Sequence, residues 1–422
     1  MAAGDVPIRE LLADRGVRWI TGLALLAMTG FGMVLPVLPL YAKSFGVGYG
    51  AASLMISAWA LARLGSDLVV GPLVDRFGER RVGAPALCLT AACAVGAALA
   101  SSFPVAVAFW AAGGAGSAAM FAAFYSYLLR SVSRERMART LAFFYGAMNV
   151  GTIAGGPIGG AVAHSFGLAA PLLVYAGVLV VGAVVFIRFV PEPRAARLEP
   201  PLSPAEAGRE RELPVARHGR TTLHRLFRTP AFVTVMVLNM AYAWMVAGVL
   251  NTLVSFYSRD RLGLSTTEIG ALFAVLLVAE LAVLYPAGSA ADRLGRKAVL
   301  VPSLAGLAVT TVLAGLAPTT VLFAVALAAL GICSGYAGVP PAAMLSDITP
   351  PDASGTAIGS FRFFGDVGFL VGPVVAGYAV SAWGFEAAFA IAAIPVLAAL
   401  AVVARTPETL GLARRRELAR EV

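Results

Sequence analysis

Twelve apolar stretches, each ended by a short polar cluster, follow one another at residues 19–41, 51–73, 82–101, 104–129, 141–163, 168–190, 231–257, 267–290, 298–316, 319–344, 356–380 and 385–404. A helix needs about 20 apolar residues to cross the hydrocarbon of a bilayer, and it satisfies its backbone hydrogen bonds within itself, which lipid cannot do for it. The pattern therefore predicts an all-α membrane protein with twelve transmembrane helices. The first stretch exceeds the roughly 7–15 residues of a signal-peptide core and follows Asp5, Glu10 and Asp14, so it reads as an uncleaved first span.

Between the sixth and seventh stretches, residues 191–229 are rich in Pro, Arg and Glu and carry no apolar period. They predict a cytoplasmic linker between an N-terminal six-helix bundle, residues 1–190, and a C-terminal six-helix bundle with a tail, residues 230–422. The halves repeat. GPLVDRFGERR at Gly71–Arg81 returns as GSAADRLGRK at Gly288–Lys297, with Gly71, Asp75, Arg76 and Gly78 followed 217 positions later by Gly288, Asp292, Arg293 and Gly295. Gly156-Pro157 returns as Gly372-Pro373, and Pro191-Glu192 as Pro407-Glu408, at an offset of 216. Two pseudo-symmetric bundles of this kind are the architecture of an alternating-access machine.

Composition agrees with a lipid environment: 59% of residues are hydrophobic, 13% are charged, and the mean hydropathy is +0.83. The net charge of +9 is scattered in short clusters, which argues against a nucleic-acid partner and for a topological role. With both termini inside, 27 of the 32 Lys and Arg residues fall on the cytoplasmic side and three in outer loops, so a multi-pass protein of the inner (plasma) membrane is expected. The three cysteines and three histidines show no metal-ligand spacing, and no nucleophile–base set or phosphate-binding loop is present. No metal, cofactor or enzymatic activity is expected.

The loop motif has the form G-x-L-x-D-R-x-G-R-R/K. It is matched by Gly71, Leu73, Asp75, Arg76, Gly78, Arg80 and Arg81, and again by Gly288, Asp292, Arg293, Gly295 and Arg296. On these residues the chain resembles the major facilitator superfamily over nearly its whole length. Gly32, Pro36, Pro39 and Tyr41 in GMVLPVLPLYA of span one, and GGPIGG at Gly155–Gly160 of span five, resemble the twelve-span drug/proton antiporters. The resemblance implies the proton as coupling ion, a gating role for Asp75 and Asp292 beside the positive end of span eleven or five, and a cavity lined by spans one, four, seven and ten. Thr152 stands where the antiporter motif has an earlier glycine, and close packing by Gly156, Pro157, Gly160, Gly372 and Pro373 is the other reading of that signal. Trp110 occupies the place of an arginine of those antiporters, whose relay role has no bearer in this helix.

Five ionisable side chains fall inside spans: Arg63, Asp67, Glu280, Arg362 and Asp366. Each costs about 2.5–3.5 kcal/mol at the bilayer centre and so asks for a partner or a function. Arg63–Asp67 and Arg362–Asp366 are four apart and can close on their own helix faces. The resemblance makes spans two and eleven antiparallel neighbours. At 1.5 Å per residue, Asp67 and Arg362 then lie at one level, about 12 Å from Asp75 and from a helix start near Ser354. Asp67–Arg362 and Arg63–Asp366 would then form an interdomain charge clamp. Glu280 has only Leu276, Leu277, Val283 and Leu284 as helical neighbours, which makes it the first candidate for proton coupling, with Asp366 the second. A structural acid satisfied by Asn149 or Thr152 is the alternative for Glu280.

The cavity-lining spans supply Phe31, Trp110, Phe124, Tyr125, Asn239, Tyr242, Asn251 and Tyr336. Aromatic surface with few polar anchors suits lipophilic or weakly cationic organic molecules. Proton-coupled export of such a molecule by a monomer is the leading expectation. Proton-coupled uptake of a metabolite shares nearly every feature, and a non-transporting sensor or a lipid flippase is disfavoured by the paired loops.

Overall fold

The computed structural model describes residues 14–132, 134–190, 224–349 and 354–410, and the regular structure among them is helical. Residues 191–223 of the expected linker, including Glu192, lie outside the described residues. Span one starts at Arg15, earlier than its apolar run, because the Asp14 carboxylate accepts from the Gly16 and Val17 N–H groups at 2.8 and 3.1 Å. It stops at Val34 and resumes as Leu38–Lys43, since Pro36 and Pro39 each remove a donor from the helical ladder. Spans two to six are Tyr49–Phe77, Glu79–Ala98, Phe103–Ser131, Arg134–Phe166 and Ala170–Phe189.

Span seven runs from Pro230 to Arg261, with wide π-helical turns at Met245–Leu253 and Tyr257–Arg261. The Thr252 hydroxyl donates to the Ala247 carbonyl, five residues back, in keeping with that widened register. Span eight, Thr266–Leu294, opens on a reciprocal cap in which Ser265 N–H donates to Glu268 Oε2 at 2.7 Å and Glu268 N–H to Ser265 Oγ at 3.3 Å. Span nine is Arg296–Gly315, and span ten is Thr320–Gly338 continued as Pro340–Ile348 beyond a break at Val339. Spans eleven and twelve share the helical run Ser354–Arg405, which Gly384 divides with φ 82° and ψ −179°. Among the described residues, helical segments in two repeated sets thus fall where the sequence predicts the twelve spans.

Contacts group these helices into two units. One takes residues up to Val47, those from Ala58 through span six, and Ser265–Ala271 at the head of span eight; the other takes Gly48–Ser57, span seven as far as Leu264, and residues from Leu272 onward. In the first unit, span five crosses span one along Gly151, Gly155 and Gly159, where a Cβ would strike the carbonyl oxygens of Leu25, Thr29 and Met33. Lipid tails offer helices no hydrophobic drive to associate, so backbone approach of this kind supplies dispersion contacts that larger residues would prevent. An adjacent face of span five carries Gly156 and Gly160, which meet Gly270 and Thr266 of the span eight head. The second unit repeats the first seam. Gly368 and Gly372 lie 217 positions after Gly151 and Gly155, and they abut the carbonyls of Met240 and Trp244 in span seven. Packing thus pairs Gly372 with Gly155, whereas the dipeptide alignment had paired it with Gly156.

Candidate functional site

Within the second unit, three spans meet at Glu280. The Tyr242 hydroxyl of span seven donates to Glu280 Oε1 at 2.9 Å, and Ser334 Oγ of span ten donates to the Tyr242 hydroxyl oxygen at 3.4 Å. The carboxyl is half-buried, and its described partners are neutral hydroxyls. Gly338 leaves room for the Tyr242 ring end, since a Cβ there would lie 2.9 Å from the hydroxyl oxygen. Height along the helices alone points to Asn149 or Thr152 as partners. Within its own unit the Glu280 carboxyl has the Tyr242 hydroxyl as partner, whereas Asn149 and Thr152 belong to the other unit. A half-buried carboxyl held by groups that can donate but carry no charge can change its protonation without breaking an ion pair.

Each loop motif carries a glycine in the left-handed region, Gly78 at φ 83° and Gly295 at φ 105°, where a side chain would be strained. Asp75 accepts from Arg130 Nη2 at 2.8 Å, and Arg130 Nε lies 3.2 Å from Glu79 Oε1. Ser126 donates to the same Glu79 oxygen at 2.6 Å. In the second unit Asp292 pairs with Arg296, and Arg296 Nε lies 3.2 Å from Asp347 Oδ2. The resemblance placed the two aspartates beside helix ends, and in their own units each is held by an arginine.

Glu408, just past span twelve, accepts from the N–H groups of Arg296 and Lys297 at 3.0 and 2.9 Å and so caps the start of span nine. Burial would push its carboxyl up, but the N–H groups of Leu410, Lys297, Arg296 and Thr409 outweigh burial and hold it below the usual carboxylate range. A group depressed on folding adds stability above its unfolded pKa and loses it as pH falls through the folded one. The wild-type protein is expected to melt above Glu408→Gln at neutral pH, and the gap to close as acid protonates Glu408. Thermal unfolding in lipid nanodiscs against pH measures this.

The expected cavity residues divide by environment. Phe124 is fully buried between Phe121 and Phe186, and Tyr125 lies against Phe144 and Tyr145. Trp110 is buried beside Tyr175, at 6.5 Å between ring centroids, while half-buried Phe31 stacks on Trp59 at 5.1 Å. Asn239 donates to the Phe361 carbonyl at 2.6 Å and ties span seven to span eleven. Asn251 is buried in the π-helical stretch, and Tyr336 is half-buried on span ten. Arg63 places its guanidinium 5.5 Å over the Trp59 ring, with Nε buried and unbonded. Arg63 and Asp67 belong to one unit, and Arg362 and Asp366 to the other.

Among the described residues, helices in two repeated sets and a matched pair of motif-bearing loops form the architecture of a membrane transporter. A family model described as Major Facilitator Superfamily matches residues 20–276 and 243–420, and the chain belongs to that superfamily. It is a membrane transporter and not an enzyme. The chain is 26% identical over 399 residues to the tetracycline resistance protein, class C, of Escherichia coli, covering 90% of this chain and 95% of that protein. It is 34% identical over 108 residues to the multidrug resistance protein MdtG of Dickeya zeae (strain Ech586), a match of 25% of this chain that spans only 26% of the MdtG length. Among solved structures, a bacterial homolog of the human lysosomal transporter Spinster, inward-facing and occupied, superposes with a TM-score of 0.72 at 14% identity over 97% of both chains. A point mutant of the nucleoside transporter NupG gives 0.72 at 15% identity, over 92% of this chain and 98% of that one. These structural likenesses speak for the fold.

Proposed function

We propose that the protein exports small lipophilic or weakly cationic organic molecules across the inner (plasma) membrane in exchange for protons. It works by alternating access as a monomer with both termini in the cytoplasm, and it needs no cofactor beyond the proton. The observation that carries the reading is Glu280, a half-buried span carboxyl whose described partners are the hydroxyls of Tyr242 and Ser334. Export is supported by the resistance proteins to which the chain is similar. The test is purified protein in liposomes under an imposed pH gradient, screened against drugs and metabolites with solute and proton fluxes both recorded. Solute moving against the proton flow is expected. Solute moving with it would assign the protein to uptake, and solute flux without proton flux would overturn the coupling.

The reading includes the clamp of Arg63, Asp67, Arg362 and Asp366, a switch whose value lies in breaking. Ion pairs out of water add little net stability against apolar replacements, whereas removing one partner costs about 3–5 kcal/mol. Asp67→Arg and Arg362→Asp are each expected to abolish transport, and the two together to restore it. Absence of rescue in the liposome assay removes the clamp.

A further inference from the structure

Counting through the repeat of 217 residues sets Glu79 against Arg296, Arg130 against Asp347 and Asp75 against Asp292. The first two correspondences reverse charge and the third keeps it. In both halves an arginine Nε lies 3.2 Å from the carboxylate across from it, Arg130 to Glu79 and Arg296 to Asp347, while a terminal guanidinium nitrogen holds the loop aspartate. Burial is preserved at two of the three matched positions: the side chains at 79 and 296 are 4% and 9% exposed, and those of Asp75 and Asp292 are 73% and 70% exposed, whereas Arg130 is 44% and Asp347 10% exposed. The guanidinium stands at the start of one helix in the second half and at the end of its neighbour in the first, yet in each half its Nε faces the partner carboxylate and a terminal nitrogen faces the loop aspartate.

We propose that Arg130 with Glu79, and Asp347 with Arg296, are positioning residues for the loop aspartates, and that the first half works with its two paired charges exchanged relative to the second. Read alone, Glu79 is a lost motif arginine. Read with Arg130, it is one side of an exchange made on both helices, which leaves no unpaired charge in a nearly dry position.

The helix dipole makes the exchange visible elsewhere. Glu79 is the first residue of span three, where an anion is favoured, whereas Arg296 puts a cation on the positive end of span nine. Glu408 supplies the anion there, accepting from the N–H groups of Arg296 and Lys297. The work of Glu408 should therefore depend on which charge stands at 296.

The experiment uses the full chain in nanodiscs with its three cysteines replaced by alanine, spin-labelled at Leu73→Cys and Leu129→Cys on spans two and four. Glu79→Arg and Arg130→Asp should each broaden the distance distribution and lower the melting midpoint by on the order of 5 °C or more. The double variant should recover the narrow distribution and most of the midpoint. If a charge reversal prevents folding, Glu79→Gln and Arg130→Gln supply the single-variant comparison. In the second half, Arg296→Glu with Asp347→Arg should also recover stability relative to its singles. Glu408→Ala lowers the midpoint of the wild type and should leave that double variant unchanged or raise it. Doubles as broad or as unstable as the worse single overturn the proposal, as do singles that leave the distribution unchanged. So does a Glu408 effect of equal size in both backgrounds.

Discussion

Gly155→Ala is expected to lose most of its folded protein at the temperature where Gly146→Ala, in the same helix, keeps or gains stability. The two substitutions add the same methyl. At Gly155 it meets only backbone: the Thr29 carbonyl oxygen, Met33 N at 2.7 Å and the Gly32 carbonyl carbon at 2.8 Å. None of these can turn aside as a side-chain end would, so spans one and five must separate. Overpacking costs about 1–3 kcal/mol and occasionally more, and an obstruction made entirely of backbone belongs at about 3 kcal/mol or above. Gly146 faces open space within 4 Å, and alanine there contributes roughly 1 kcal/mol of helix propensity. Size-exclusion profiles and melting midpoints of the purified variants read the contrast. Equal behaviour would mean that the span one–five seam is not a packing contact.

The fold is largely legible in the sequence because lipid imposes a simple rule: every spanning segment shows as an apolar run. The repeat exposes the pseudo-symmetry directly, through Gly71 and Gly288. Breaks inside spans follow Pro36, Pro39 and Pro340, which a sequence displays, whereas the π-helical turns of span seven carry no comparable mark. The glycine seam was half visible. GGPIGG stands out, yet which glycines face span one depends on the four-residue spacing of Gly151, Gly155 and Gly159, and Gly151 precedes the motif.

Site geometry was less accessible. Glu280 announces itself as an acid without a helical counter-charge, but Tyr242 and Ser334 reach it from distant parts of the chain, and height along a helix does not fix the rotation that brings them there. The roles of Arg130, Glu79, Asp347 and Glu408 do not stand out in the sequence, because each lies at a span end, where a charge is ordinary. The offset of 217 would have found three of them, since it aligns Glu79 with Arg296 and Arg130 with Asp347 and shows that both changed sign together.

Glu280→Gln is the second substitution with a large expected effect, and it separates carrying a proton from holding a helix. Glutamine keeps the shape and can still accept from the Tyr242 hydroxyl, so the links between spans seven, eight and ten survive. It cannot release a proton. A carrier so altered should still exchange labelled for unlabelled solute across the membrane but should no longer be driven by a pH gradient, because solute movement is uncoupled from proton movement. The decisive measurement is made in liposomes, with a solute that the wild type accumulates. Gradient-driven accumulation and solute-linked proton flux are recorded for wild type and Glu280→Gln, beside exchange at equal pH. We expect exchange to persist in the variant while accumulation and proton flux fall to the level of empty liposomes. Accumulation by Glu280→Gln with an unchanged pH dependence would contradict the account.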